Sequence, residues 1–173
     1  MSTYKIDAAH SDILFKVKHL MITTVTGQFN SFDGSLQAEK EDFTDAKISF
    51  TADVNSINTR NEQRDGHLKS DDFFSAEKFP QLSFESTSFD KSGDSYVLNG
   101  NLTIRDIKQP VALQVAYMGT MTDPWGQTKV GFEAEGKISR KSFGLMWDAV
   151  TEAGGVVVSD EVKLQLNVQF VKN

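Results

Sequence analysis

Val162, Leu164, Leu166, Val168 and Phe170 alternate with Lys163, Gln165, Asn167 and Gln169. A period of two is that of a β-strand with one dry face and one wet face, whereas a helix would scatter those apolar side chains around its circumference. The pattern recurs. Val130, Phe132, Ala134 and Ile138 alternate with Glu133, Glu135 and Lys137. Tyr96, Leu98, Leu102 and Ile104 alternate with Asn99, Asn101, Thr103 and Arg105, and Ile48, Phe50, Ala52 and Val54 with Lys47, Ser49, Thr51 and Asp53. Shorter runs lie at 13–20, 25–36, 81–89 and 111–118, which makes about eight two-faced strands.

Turn residues separate the runs. Ser92-Gly93-Asp94 reads as a hairpin loop, and Asp123-Pro124-Trp125-Gly126 joins two more strands. Gly154-Gly155 falls in a longer connection, and the charged Glu39-Lys40-Glu41-Asp42 precedes the strand that starts near Ala46. Residues 59–79 break the alternation. Thr59-Arg60-Asn61-Glu62 has the form of a capping box, in which the Thr59 hydroxyl and the Glu62 carboxylate satisfy free N–H groups. A short helix to about Lys69 is predicted, weakened by Gly66, with Ser70-Asp71-Asp72 capping a second turn that carries Phe73 and Phe74. No repeat, low-complexity tract or linker divides the chain, so residues 1–173 read as a single domain.

About eight antiparallel strands with one dry face each can stack as a sandwich or close as a barrel. At 39% hydrophobic and 24% charged residues the chain is globular. It has no long amphipathic helix to plug a barrel, and its inward rows are rich in Phe, Leu and Val. An unplugged lumen would be apolar and would attract an apolar ligand, at ~25 cal/mol per Å² buried. The same side chains can instead meet in the middle and fill the space. Periodicity leaves both readings open.

The charge balance narrows the partners. Lys plus Arg total 18 against 24 Asp plus Glu, a net charge of −6, which argues against a nucleic-acid surface and against attraction to anionic lipid headgroups. No run approaches the ~18 apolar residues of a membrane span. The absence of cysteine excludes disulfides, thiol chemistry, zinc ribbons and iron–sulfur clusters. Met-Ser-Thr-Tyr-Lys-Ile-Asp lacks the basic and apolar character of a secretory signal. The expected location is the cytoplasm for the chain as it stands, or the periplasm if a leader was removed.

Few residues suggest chemistry. His10-Ser11-Asp12 holds the letters of a triad, but consecutive strand residues point to opposite faces and cannot form a relay. Asp71-Asp72 reads as a cap or a solvated pair. His10, His19 and His67 lack metal-ligand spacing, and no phosphate loop, dinucleotide fingerprint or nucleophile elbow is present. His19 follows Phe15 and Val17 at spacing two, so it is expected to point inward. There it is either a buried, backbone-bonded histidine or a polar contact for a ligand. Arg64-Asp65-Gly66-His67-Leu68 lies in the helical insert, which is expected across a barrel mouth. Arg64 or His67 could meet a polar head, or Arg64 and Asp65 could form a local ion pair. Phe143-Gly144-Leu145-Met146-Trp147 is either end packing or an entrance wall, with Arg140 laid over it.

Several motifs occur together in order. Tyr4-Lys5-Ile6-Asp7 and His10-Ser11 are followed by Phe15-Lys16-Val17-Lys18-His19, Gly27-Gln28-Phe29 and Phe32-Asp33-Gly34. Ser56-Ile57-Asn58-Thr59, Arg64 through Phe74, and Phe79-Pro80 come next, then Gly100 through Ile104, Pro110-Val111 and Arg140-Lys141-Ser142-Phe143-Gly144. Over nearly its whole length the chain resembles the YceI-like family of bacterial lipid-binding proteins. The resemblance implies an all-β, eight-stranded antiparallel, lipocalin-like barrel with the insert at 59–79. It also implies an apolar tunnel for a polyisoprenoid chain, such as that of a quinone or a prenyl phosphate. Members of the family often carry secretion signals and act in the periplasm.

On this reading the apolar wall comes from Phe15, Val17, Phe29, Phe50, Phe84, Phe132, Phe143 and Trp147, with His19, Arg64 and His67 as polar contacts for the head or entrance. No catalytic residue, metal or cofactor is assigned beyond a bound isoprenoid lipid or quinone, and a homodimer through barrel edges stays open. The expected function is non-enzymatic storage or transport of such a lipid. Two alternatives remain: a small enzyme on a lipid-like substrate with His19 as acid or base, and a solid-core, stress-related interaction module.

Overall fold

The structure, a computed structural model, describes residues 1–149 and 157–173; Gly154-Gly155 lies outside them. The chain forms strands β1 (Ser2–Ile6), β2 (Asp12–His19), β3 (Thr23–Phe29), β4 (Phe32–Ala38), β5 (Lys47–Asp53) and β6 (Ile57–Asn58). Helix α1 (Glu62–Lys69) follows, then β7 (Gln81–Ser92), β8 (Ser95–Ile104), β9 (Ile107–Thr122), β10 (Thr128–Ser139) and β11 (Val158–Lys172).

The eleven strand segments among the described residues belong to one antiparallel sheet, which closes where β1 pairs with the end of β11, Tyr4 opposite Lys172. The expected eight-stranded barrel is therefore present, assembled from eleven segments because three staves are broken. β1 and β2 run along successive parts of β11 and form one stave. β3 with β4, and β5 with β6, form the next two. The breaks stand at the same height. The Asp7 carboxylate accepts from Ala9 N at 3.1 Å and curls Ala8–His10 into a 3-10 turn. Asn30 N donates to Ser56 O at 3.2 Å, and Asp53 N to Ser31 O at 2.9 Å. Three adjacent staves bend together there, a corner that lets a strongly twisted sheet close.

Turns carry the residue types that their backbone demands. Gly93 supplies φ +62 between β7 and β8. The Asp123 carboxylate accepts from Trp125 N and Gln127 N, both at 2.9 Å, and holds the β9–β10 turn. One end of the barrel is closed by the 39–46 loop. Phe43, at φ +63, is buried with its ring centroid 5.9 Å from Tyr4 and 5.6 Å from Phe132, and the Tyr96 hydroxyl donates to Asp42 O at 2.6 Å.

The other end is covered by the insert. Its helix starts later than the capping box implies: Asn61 is the N-cap, accepting from Arg64 N at 3.0 Å. Thr59 is buried instead, because its N–H and its hydroxyl both donate to Asp65 Oδ1, at 2.9 and 2.5 Å. Ser70 caps the second turn as expected, accepting from Asp72 N through its hydroxyl at 3.3 Å, and that turn delivers Phe73 and Phe74 to the barrel end.

Candidate functional site

The inward rows enclose a cavity of about 220 Å³. A well-packed core has few voids larger than one water, so this interior is hollow. Its shape follows from what lines it. β11 contributes Val158, Val162, Leu164, Leu166, Val168 and Phe170; a bulge sets Val158–Val162 against only His19–Val17 of β2, so the row covers roughly 33 Å of strand at ~3.3 Å per residue. With the usual tilt of ~35–45° that is about 25 Å along the barrel axis. Such a volume drawn out over such a length is a narrow tube. Among the described residues, Ser49 and Arg140 are the only lining residues with polar side chains.

Six of the residues expected in the wall line the tube: Phe15, Val17, Phe29, Phe50, Phe84 and Phe132. Phe143 and Trp147 do not. Phe143 is buried behind the wall, because the chain leaves strand geometry for a 3-10 turn at Arg140–Phe143 and the two-residue period ends. Trp147 is half-buried outside, its ring centroid 5.0 Å from His67 and 5.6 Å from Phe73.

The three polar contacts expected from the sequence also lie off the tube. His19 is exposed, in correction of its inward placement. It shares the parity of Phe15 and Val17, but Val17 is the last β2 residue on the cavity and the stave then runs past the wall. Arg64 donates through Nε to the Thr59 hydroxyl at 2.8 Å and through Nη2 to Thr59 O at 2.6 Å. Among the described residues it forms no ion pair with Asp65, since both clasp Thr59. His67 Nε2 lies 2.8 Å from Asp72 Oδ2. The triad letters are dispersed: His10 meets Asp7, and the Ser11 hydroxyl accepts from Gln169 N at 3.0 Å. Among the described residues no cluster of three or more His, Asp or Glu is placed to hold a metal ion, and no helix is long and apolar enough to cross a membrane.

Of the two polar residues at the tube, Arg140 is the charged one. It is 4% exposed, and its guanidinium donates to the carbonyls of Ser159 (2.9 Å), Leu145 (2.6 Å), Trp147 (2.7 Å) and Val158 (3.2 Å). Burial pushes its pKa down, opposed by the charges of Asp148 and Asp160. Arg105 Nη1 joins the same end, donating to the carbonyls of Phe73 (3.0 Å) and Gly144 (2.8 Å), which ties the insert to the 140–147 segment. The sequence held a signal for Arg140, since it continues the inward parity of Val130, Phe132, Ala134 and Ile138. Phe43 had one too, a lone aromatic residue in a charged loop.

A narrow apolar tube in an eight-stranded barrel is the setting for the comparison with known proteins. The model of the YceI-like domain matches residues 4–170. This chain belongs to the YceI-like family. The YceI-like chain is 39% identical over 171 residues to Protein YceI of Salmonella newport, covering 98% of this chain and 86% of that protein. Protein YceI of Salmonella arizonae matches equally. Among solved structures, the Campylobacter jejuni YCEI protein has a TM-score of 0.73 at 29% identity, over 88% of this chain and 87% of that one. Burkholderia cenocepacia BcnA reaches a TM-score of 0.82 at 21% identity, over 95% and 98%. A polyisoprenoid binding domain from Saccharophagus degradans, implicated in plant cell wall breakdown, gives 0.68 at 16% identity, over 96% and 97%. The latter two likenesses are of fold.

Proposed function

We propose that this YceI-like chain binds a long apolar lipid of the polyisoprenoid type, a quinone or prenyl phosphate, and stores or carries it without chemical change. The observation that carries this reading is the shape and lining of the lumen. A tube about 25 Å long by strand geometry, walled among the described residues by apolar side chains except Ser49 and Arg140, matches a flexible chain and not a compact polar substrate. Affinity comes from removing the chain's surface from water. The Saccharophagus degradans neighbour is described as a polyisoprenoid binding domain, which supports the same ligand class here.

A binding role is favoured over an enzymatic one by the placement of the titratable groups. General acid or base catalysis needs a group within hydrogen-bond reach of the substrate. His19, the candidate base, is exposed and off the lumen. Arg140 already spends its donors on four carbonyls, which suits a structural closure.

The test is solvent extraction and native mass spectrometry of freshly purified protein. A bound molecule with a long methyl-branched tail is expected. Protein recovered empty that also fails to take up added quinone or polyprenol would overturn the proposal.

A further inference from the structure

The turn joining β2 to β3 is built against the usual rules. Ile22 N donates to His19 O at 3.2 Å, with Leu20 and Met21 in left-handed backbone at φ 54 and 63. Both central residues at positive φ define a type I′ hairpin turn, the place for Asn-Gly. Here it carries Leu-Met followed by Ile, and the three side chains are 40, 62 and 79% exposed. A bulky residue is disfavoured in that backbone and an apolar one in that solvent. Only the second cost disappears if the tip enters an apolar phase.

A row of lysines stands behind the tip. Lys16 on β2 is directly opposite Lys163 on β11, which is directly opposite Lys137 on β10. Like charges placed so are unfavourable in water. Lys137 lies 3.8 Å from Glu161, but among the described residues Lys16, Lys18 and Lys163 make no ion pair. Lys18 and Lys16 sit two and four residues before Leu20, roughly 7 and 14 Å behind it along the strand. That spacing sets ammonium groups at headgroup depth when the tip lies in the outer acyl region. The net charge of −6 argues against an anionic surface on average; here the register of three strands sets Lys16, Lys18, Lys137 and Lys163 together, against the two carboxylates of Glu161, which faces Lys137, and Asp160, which is held by Ser139 and Lys141 N.

We infer that the Leu20–Ile22 turn is a membrane-insertion tip, entering an anionic bilayer with Lys16, Lys18 and Lys163 against lipid phosphates. Three side chains on one short turn are too narrow for the ~800 Å² per partner of a stable protein interface, which favours a fluid surface. Val17 and Val158 line the lumen at this same end, so the docked tip brings the tube to the membrane. The inference deepens the lipid-carrying reading by naming the surface where the lipid is exchanged.

The test is vesicle flotation of the full chain, with phosphatidylcholine alone and with phosphatidylcholine plus phosphatidylglycerol. Wild type is expected to float with the anionic vesicles and to be released by salt. Ile22→Asp should weaken binding at least about tenfold, and Lys16→Gln or Lys163→Gln about fivefold each. Trp125→Ser, at the opposite end and 85% exposed in the native chain, should change nothing. Thermal unfolding checks that each variant keeps its fold. Equal flotation of Ile22→Asp and wild type, or no flotation of wild type, overturns the inference. Concentration-dependent dimers lost on Ile22→Asp without any flotation would overturn it in favour of a second copy. Lipid extracted from the same samples separates the two proposals: a loaded barrel that does not float ends the docking inference alone, and an empty barrel that floats ends the carrier reading alone.

Discussion

Phe15 lies across Gly27, its register partner on the adjacent strand, so closely that a methyl group on Gly27 would collide with the ring. Both strands are regular there, so the glycine is required by the ring and not by the backbone. Gly27→Ala is expected to push Phe15 into the lumen. The cost is that of overpacking, about 1–3 kcal/mol, seen in thermal unfolding. Uptake of a fluorescent polyprenyl probe should fall as well. A variant with native stability and uptake would show that the ring has another place to go.

Phe50 lines the tube and packs at a tilt against Phe32, with centroids 6.0 Å apart, whereas Asn101 borders a separate, polar depression. Phe50→Asp should strip retained lipid, because an ionised carboxylate in an apolar tube costs several kcal/mol unless neutralised or hydrated. Asn101→Asp should leave retention near wild type. Lipid content per folded protein, with circular dichroism to count the folded fraction, decides; equal losses would contradict the assigned facing.

Arg140 closes one end of the barrel by four charge-assisted bonds to carbonyls. Arg140→Met keeps much of the volume and leaves those carbonyls without their donor, so a loss of about 3 kcal/mol or more is expected in urea unfolding. Arg140→Lys should recover less than half, since one ammonium cannot reproduce the planar fork. Full rescue by lysine would mean that charge alone matters there.

Thr59 is the knot that holds the insert to β6. Thr59→Val should cost about 1–3 kcal/mol, because Asp65 and Arg64 lose the hydroxyl that they share. The loss is local, so amide hydrogen exchange in α1 should accelerate before that in the barrel. Transfer of lipid to acceptor vesicles should accelerate with it. Unchanged transfer together with faster α1 exchange would show that the insert does not control release.

Acid should loosen the Arg140 end. The Lys141 ammonium bond and the Ala149 N–H hold Asp148 below the usual carboxylate range. Burial raises Asp160, but the Ser139 hydroxyl, the Lys141 N–H and nearby cations outweigh it and leave it lowered. A carboxylate depressed in the folded state contributes stability above its unfolded pKa of about 3.9, and that contribution is lost as pH falls through the folded value. The urea midpoint should therefore hold from pH 7 to about pH 4 and drop below it. Asp160→Asn should lower the midpoint at pH 7 and shrink the drop. An identical acid slope in that variant would remove Asp160 from the account.

The staves were legible because each writes its own period of two. Val130 through Ile138 and Val162 through Phe170 needed no partner to be recognised. The site was legible only where strand parity extends: Phe15, Phe29, Phe50, Phe84 and Phe132 reach the tube, while Phe143 and Trp147 follow the end of β10 and do not. His19 shows the limit of the rule. Parity gives the side of a strand and not the height of the wall, and its stave outruns the barrel at that point. The helix start failed for a related reason. Thr59 fits a capping box by spacing, but Asp65 and Arg64 claim it, and Asn61 takes the cap.

The amino-acid order alone determined that about eight two-faced strands must bury greasy rows, since alternation is a local property of the backbone. Tertiary structure decided the rest. Closure of β1 onto β11, the shared corner in three staves and the ends sealed by Phe43 and Arg140 leave a tube where a flatter packing would have brought the same side chains together. The register of β2, β11 and β10 also gathered lysines that lie far apart in the chain. Hollowness and charge clustering depend on how strands stand beside one another, and no single strand carries that information.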